Sequence, residues 1–231
     1  MRTWRSLFAA VVLFLAAASA SQAGLIVGVT DTASSYYLGS GSQAPAVALV
    51  NKSGFQGVPP NYTDYDSDGA PEHGTEWRNK MWMSATDTLI SDQWVEFALP
   101  DHAGLDFMRV WDYNQASDTT AEPDKWKRGV KNAIVEWRPD VQSSWVTLNG
   151  GASYTFNPGT GLIDYDNVTT VDFTGQLARF VRIRIQSNWN DNSGGGYVGM
   201  SEVDFFEVPE PATLTVLALG GLALLRRKNR R

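Results

Sequence analysis

Between Ala178 and Val208 apolar and polar residues alternate in two blocks joined by a polar connection. Val181, Ile183 and Ile185 interleave with Arg182 and Arg184, the two-residue period of a strand with one buried and one wet face. Asn188 to Gly196 is polar and glycine-rich around one large aromatic, Trp189, and Tyr197 to Val208 resumes strand chemistry. The same reading predicts strands over Gly24 to Thr30, Ala46 to Val50, Trp94 to Leu99, Leu105 to Tyr113, Val130 to Trp137 and Ser144 to Leu148, with a weaker one over Val168 to Phe173. Pro100 closes the third of these, and Arg138-Pro139-Asp140 favours a turn. No segment from Gly24 to Val208 carries a helical period. Turn signals recur at about the 8 to 12 residue spacing of all-β sandwiches, so the fold class expected is all-β.

The two ends differ from this middle. Met1 to Ala23 has Arg2 and Arg5, an apolar run from Leu7 to Ala18 and a small-residue exit, the organisation of a secretory signal peptide cleaved after Ala23, with Ala20 the alternative. Ala212 to Leu225 is a second apolar run, short for a bilayer span, followed by the basic cluster Arg226 to Arg231. The chain therefore divides into a signal peptide (1–23), a β domain (24–207) and a C-terminal segment (208–231) that forms an apolar, membrane-directed helix.

Removing both ends changes the charge balance. From Gly24 to Pro211, nineteen Lys and Arg less the two in the signal and the five after Pro211 leaves 12, against 25 Asp and Glu, a charge near −13. A domain this acidic is expected to bind neither nucleic acid nor anionic membrane. Cysteine is absent, which excludes a disulfide framework and a thiol nucleophile.

Candidate chemistry is sparse. His73 and His102 are the only histidines and have no metal-ligand spacing, so a zinc site is not expected. Asp64-Tyr65-Asp66-Ser67-Asp68-Gly69 has the spacing of a calcium turn, but Thr75 stands where an EF-hand needs a bidentate glutamate. A solvated acidic turn is the alternative. Trp82, Trp94, Trp111, Trp137 and Trp145 lie in or beside strands and are expected in the core. Trp126 and Trp189 stand in polar loops, where a flat apolar face is available to stack on a ring-shaped ligand.

Several of these stretches carry a resemblance. Gln93 to Phe97, Phe107-Met108-Arg109-Val110-Trp111-Asp112-Tyr113-Asn114, Arg128-Gly129-Val130-Lys131, Arg179-Phe180-Val181-Arg182-Ile183 and Val198 to Phe205 follow the order of strands in the discoidin-like domain. That is the jelly-roll β-sandwich of coagulation factor 5/8 type C domains and family 32 carbohydrate-binding modules. The resemblance implies a non-catalytic binding domain and a structural calcium in the loop after the early segment, with Asn51, Ser53 and Glu202 at the matching positions. Val208-Pro209-Glu210-Pro211, the apolar run and the terminal arginines resemble the PEP-CTERM sorting signal of exosortase-processed bacterial surface proteins, with Pro209, Glu210 and Pro211 as its motif. This implies export, a transient inner-membrane stage through the C-terminal helix, and delivery to the cell surface or matrix.

The functional expectation is an exported binding module for carbohydrate or exopolysaccharide, using Trp189 as stacking platform, Asn188 as hydrogen-bonding partner, and Trp126 and His73 from neighbouring loops. A structural matrix protein without a small ligand is the alternative. A polysaccharide-acting enzyme is less favoured, since no nucleophile motif or phosphate loop is present.

Overall fold

The computed structural model describes residues 23–39, 42–52, 80–86, 89–116, 124–162, 165–190 and 196–208. Leu25 to Glu207 forms one compact unit. Among the described residues every helix is a short 3-10 turn, and the rest of the regular structure is β.

Two long strands organise the unit: β6 (Trp94–Asp112) and β10 (Thr169–Asn188). They run antiparallel to each other along nearly their whole length, from Thr169 opposite Val110 to Arg184 opposite Trp94. The first half of β6 also pairs with β2 (Thr30–Ala33), and the second half with β11 (Gly199–Glu207). The second half of β10 pairs with β7 (Val130–Arg138), which carries β8 (Val146–Thr147) and β9 (Tyr154–Thr155). Beside β11 lie β1 (Gly24–Leu25) and β5 (Trp82–Met83), while β3 (Tyr37–Gly39) and β4 (Ser42–Ala44) form a separate hairpin. The long strands thus pass from one layer of the sandwich to the other. Phe97, in the first half of β6, meets Phe205 of β11 edge to face at 5.2 Å, ring to ring.

The passage between layers corrects the expectation of two strands broken at Pro100. The register between β6 and β10 shifts around Leu99 to His102 and again between Asp172 and Gln176. Proline lacks the N–H a ladder needs, and a bulge is where a strand tolerates that. On β10 the second shift uses Thr174 and Gly175, both at positive φ. Val168 to Phe173 and the Arg-rich strand are likewise one element.

Ala46–Leu49 (η1) is a 3-10 turn, not the strand expected there, and Ile90–Asp92 (η2) is a second. Pro45 enters it in an extended conformation, and a four-residue apolar run carries no periodicity that separates the two states. Trp82 and Trp111 are fully buried as expected, whereas Trp94, Trp137 and Trp145 are half-buried. Trp145 lies on the outer face between the Arg138 and Arg182 guanidinium groups, at 4.3 and 4.2 Å from its ring centre. Those arginines are in turn held by Glu96 and Glu136.

Candidate functional site

The end of β6 fastens the loops at one end of the sandwich. Asp112 is buried, and its Oδ1 accepts the Val130 N–H at 2.7 Å, joining β6 to the start of β7 across the layers. Gly129 lies so close that a β-carbon there would stand 2.2 Å from Asp112 Oδ2. Burial pushes the Asp112 carboxyl well above its usual range, opposed by the backbone N–H groups of Tyr113 and Val130 and by the Trp189 indole. Two residues on, Asn114 Oδ1 accepts the N–H groups of Thr160 and Gly161, and its amide donates to the Leu162 carbonyl. The Trp-Asp-Tyr-Asn stretch is therefore a fastening for the end loops.

On this base sits a 3-10 turn, η3 (Lys125–Arg128), which presents Trp126. The turn after β10 is pinned to it: the Trp189 N–H donates to the Gly129 carbonyl and the Asn190 N–H to the Lys127 carbonyl, both at 3.1 Å. Trp126 and Trp189 are thereby brought to the same loop cluster, half-buried. The edge of Trp126 packs on Gly161.

Each nearby ring has a cation beside it. Lys127 Nζ is 5.5 Å from the Trp126 ring centre, Lys131 Nζ 5.4 Å from that of Trp189, and the Arg128 guanidinium 4.8 Å from that of Tyr197. Arg128 also reaches the Gln115 side-chain oxygen, and Tyr197 meets Tyr37 edge to face.

Asn188 takes a different part from the one expected. It is buried, and its amide donates to the Tyr197 carbonyl at 3.0 Å, so it holds the loop from within and leaves no exposed amide for a ligand. The Trp189 indole N–H is also buried and faces Asp112 without closing a full hydrogen bond. Val181, Ile183 and Ile185 set the inward phase at odd positions, and the register with β7 shifts between Ile185 and Ser187 and again before Asn188, which turns Asn188 inward out of that phase. His73 lies outside the described residues. Sequence reasoning passed over Arg128, Lys131 and Tyr197 as site residues. The signal was there in Lys-Trp-Lys-Arg, a basic run around a loop tryptophan in an acidic chain.

The calcium positions lie in a second place, against β11. Glu202 is buried; its Oε1 accepts the Lys52 N–H at 3.3 Å and its Oε2 has no partner. Burial pushes its carboxyl up to about 8, with the Lys52 charge opposing. Lys52 itself adopts positive φ and turns its ammonium onto Asp204. Asn51 is exposed beside it and Ser53 is outside the described residues. Asp31 nearby is half-buried, its carboxyl raised to about 6 by desolvation, with one oxygen unpartnered. Among the described residues no three His, Cys, Asp or Glu side chains come close enough to hold one ion together. A hard cation held at Glu202 would have that one carboxylate and neutral oxygens as donors, and the orphaned Oε2 fits such a role.

Residues 207–231 match the model of the PEP-CTERM protein-sorting motif. Among the described residues no helix is long and apolar enough to cross a membrane, and the apolar run expected to do so lies outside them. No curated protein matches the chain. Among solved structures it is similar to the family 32 carbohydrate-binding module of Clostridium perfringens NanJ in complex with galactose, at 14% identity and TM-score 0.48, over 80% of this chain and 100% of that one. It is similar also to an F5/8 type C domain from Bacteroides fragilis, at 12% identity and TM-score 0.47, over 83% and 100% of the two chains. A family 89 glycoside hydrolase from Clostridium perfringens matches at 15% identity and TM-score 0.45 over 79% of this chain, which spans only 14% of the hydrolase.

Proposed function

We propose that the chain is an exported, non-catalytic carbohydrate-binding module, displayed at a bacterial surface or in its matrix. The observation that carries this reading is the convergence of Trp126 and the Trp189 turn on one fastened end of the sandwich, locked by the Asn190 to Lys127 bond. Rings on a rigid loop cluster, with polar groups at their edges, are receptor chemistry for sugars, whose C–H faces stack on aromatics. Trp126 is the platform; Trp189 anchors the turn from its buried side. The whole chain is expected to be retarded in native gels containing a polysaccharide from the producing cell's own matrix, and a soluble fragment of that polymer should compete. Migration unchanged across a broad polysaccharide panel would leave a purely structural matrix role in its place. Turnover of any of these polymers, seen as new reducing ends, would instead make it an enzyme.

The sorting motif supports export with loss of the tail. Protein recovered from the cell surface is expected to lack Arg226 to Arg231 by intact-mass measurement, and recovery of the full-length tail would contradict this.

A calcium ion at Glu202, completed by Asn51 and turn carbonyls, is part of the same proposal. It would give the buried carboxylate the charge partner that Lys52, turned onto Asp204, provides only in part. Calcium at a hundredfold excess over Kd is then expected to stabilise the fold by about 2.7 kcal/mol. For a domain of this size that raises Tm by roughly 5–10 °C. A melting curve indifferent to both calcium and chelator would leave Lys52 as the resident counter-charge.

A further inference from the structure

We infer that Asp112 is a positioning residue for ligand binding: its Oδ2 is the catch onto which the Trp189 indole N–H closes when a sugar chain seats on the loop cluster. The inference rests on the carbohydrate-binding reading and deepens it, giving that site a latch. Asp112 stands where the segments of the cluster meet. Its Oδ1 accepts the Val130 N–H, and its own N–H donates to the Tyr165 hydroxyl, which in turn donates to the Asn167 carbonyl. Its Oδ2 lies against Gly129, whose carbonyl accepts the Trp189 N–H. Two polar atoms are left over at this junction. Asp112 Oδ2 and Trp189 Nε1 are both buried, and neither has a hydrogen-bond partner among the described residues. Buried polar atoms are rarely left so, and an orphaned donor facing an orphaned acceptor is a bond that a small movement completes.

A proton accounts for the open contact. Burial pushes the carboxyl well above its usual range, and the indole is among the groups that oppose this. With Oδ1 taken by the Val130 N–H, the proton sits on Oδ2 and sets one donor against another. Its loss leaves an acceptor for the indole, and the bond that closes is charge-assisted. The other groups facing the carboxyl are the Tyr113 and Val130 N–H groups and Tyr165, whose hydroxyl is itself pushed well above its usual range and stays neutral, with Asp166 beside it. Strand β11 brings Met200 opposite Asp112. The cluster's positive charge comes from Lys131 over the Trp189 ring and Arg128 over the Tyr197 ring. A sugar stacked on Trp126 steadies η3, and the Asn190 to Lys127 bond carries this to the Trp189 turn. Ligand binding and loss of the proton therefore favour each other. The unliganded domain, by contrast, is most stable with the proton in place.

The probe is matrix polysaccharide isolated from the producing cell and end-labelled with a fluorophore, titrated with the whole chain by fluorescence anisotropy across pH. Wild-type affinity is expected to rise with pH through the Asp112 titration while Tm falls, opposite trends that a merely structural carboxyl would not give. Asp112→Asn keeps an acceptor for the Val130 N–H but places an amide donor where Oδ2 stands. It should bind about tenfold more weakly than the ionised wild type, the scale of one hydrogen bond to a charged group, and show no pH dependence. Trp189→Phe keeps a ring and loses the N–H, so it should match Asp112→Asn, and the double variant should be no weaker than either single one. Circular dichroism melting shows that each variant folds. The Trp189 indole proton, identified by its loss in Trp189→Phe, should exchange with solvent more slowly once polysaccharide is bound. Asp112→Asn binding as tightly as the wild type at every pH, or a double variant whose two losses multiply, would overturn the inference and leave the carbohydrate-binding reading intact. A wild type that binds the polysaccharide at no pH would remove both.

Discussion

Gly199→Ala is expected to destabilise the domain by about 3 kcal/mol, the upper end of the cost of overpacking a filled site. A β-carbon at Gly199 would stand 2.4 Å from the Trp82 carbonyl oxygen and 2.6 Å from Tyr113 Cδ2. Neither neighbour yields easily. Trp82 belongs to β5, which is laddered to β11 here with Gly199 opposite Met83 and Met200 opposite Trp82, and Tyr113 is fully buried with its hydroxyl donating to Gln115. Gly199 also bridges to Gly129, so a shift of its backbone would disturb the loop fastening as well. For a domain of this size the expected loss in Tm is roughly 6–12 °C. Gly104→Ala is the control, because nothing lies within 4 Å of a β-carbon there. Thermal unfolding of the two variants should differ clearly, and a Gly199→Ala protein melting with the wild type would contradict the packing described at this end.

The second large effect concerns pH. Asp112 is fully buried and its carboxyl is raised well above 3.8, chiefly by desolvation. The folded chain then holds a proton that the unfolded chain releases. The corresponding stability is fully present below about 3.8 and is lost as pH rises through the folded value. Tm is therefore expected to fall as pH rises above about 3.8. Asp112→Asn keeps an acceptor oxygen for the Val130 N–H and carries no charge. It should melt above the wild type at pH 8, with a shallower pH dependence. Equal slopes in the two proteins would show that Asp112 is ionised at no cost in the folded state.

Much of the fold was legible because alternation reports which side chains face inward. Val181, Ile183 and Ile185 are buried and Arg182 and Arg184 are not, as their pattern implies. Alternation does not report where a strand ends. Pro100 looks locally like a terminator, and only the partner strand, some 80 residues later, shows that the ladder resumes beyond it. Trp145 was read as core by its size, but two arginines cover it from outside, and cation–π packing leaves no trace in local hydrophobicity.

The site was legible in part for the same reason. Trp126 and Trp189 stood out as aromatics in polar loops, and their junction through η3 depends on backbone bonds that residue identity does not encode. Asn188 was read as a ligand contact from its polar surroundings, while the register shift just before it, which no local pattern announces, breaks the strand's phase and buries it. The fastening role of Asp112 and Asn114 was hidden because the groups they bind lie 18 and 46 or more residues away.

Two tryptophans stand at opposite ends of β7. Trp126 lies by the start of that strand, at Val130, and Trp145 by its end, at Arg138. Both are half-buried and both have cations at their faces, so removal of either costs similar packing. The measurement is the dissociation constant of the whole chain for the polysaccharide that retards it, for the wild type, Trp126→Ala and Trp145→Ala. With the binding surface at the loop end, Trp126→Ala weakens binding about tenfold or more, the equivalent of 1.4 kcal/mol, and Trp145→Ala leaves it unchanged. Loss of binding in Trp145→Ala with retention in Trp126→Ala would place the ligand on the opposite part of the sandwich and contradict the account.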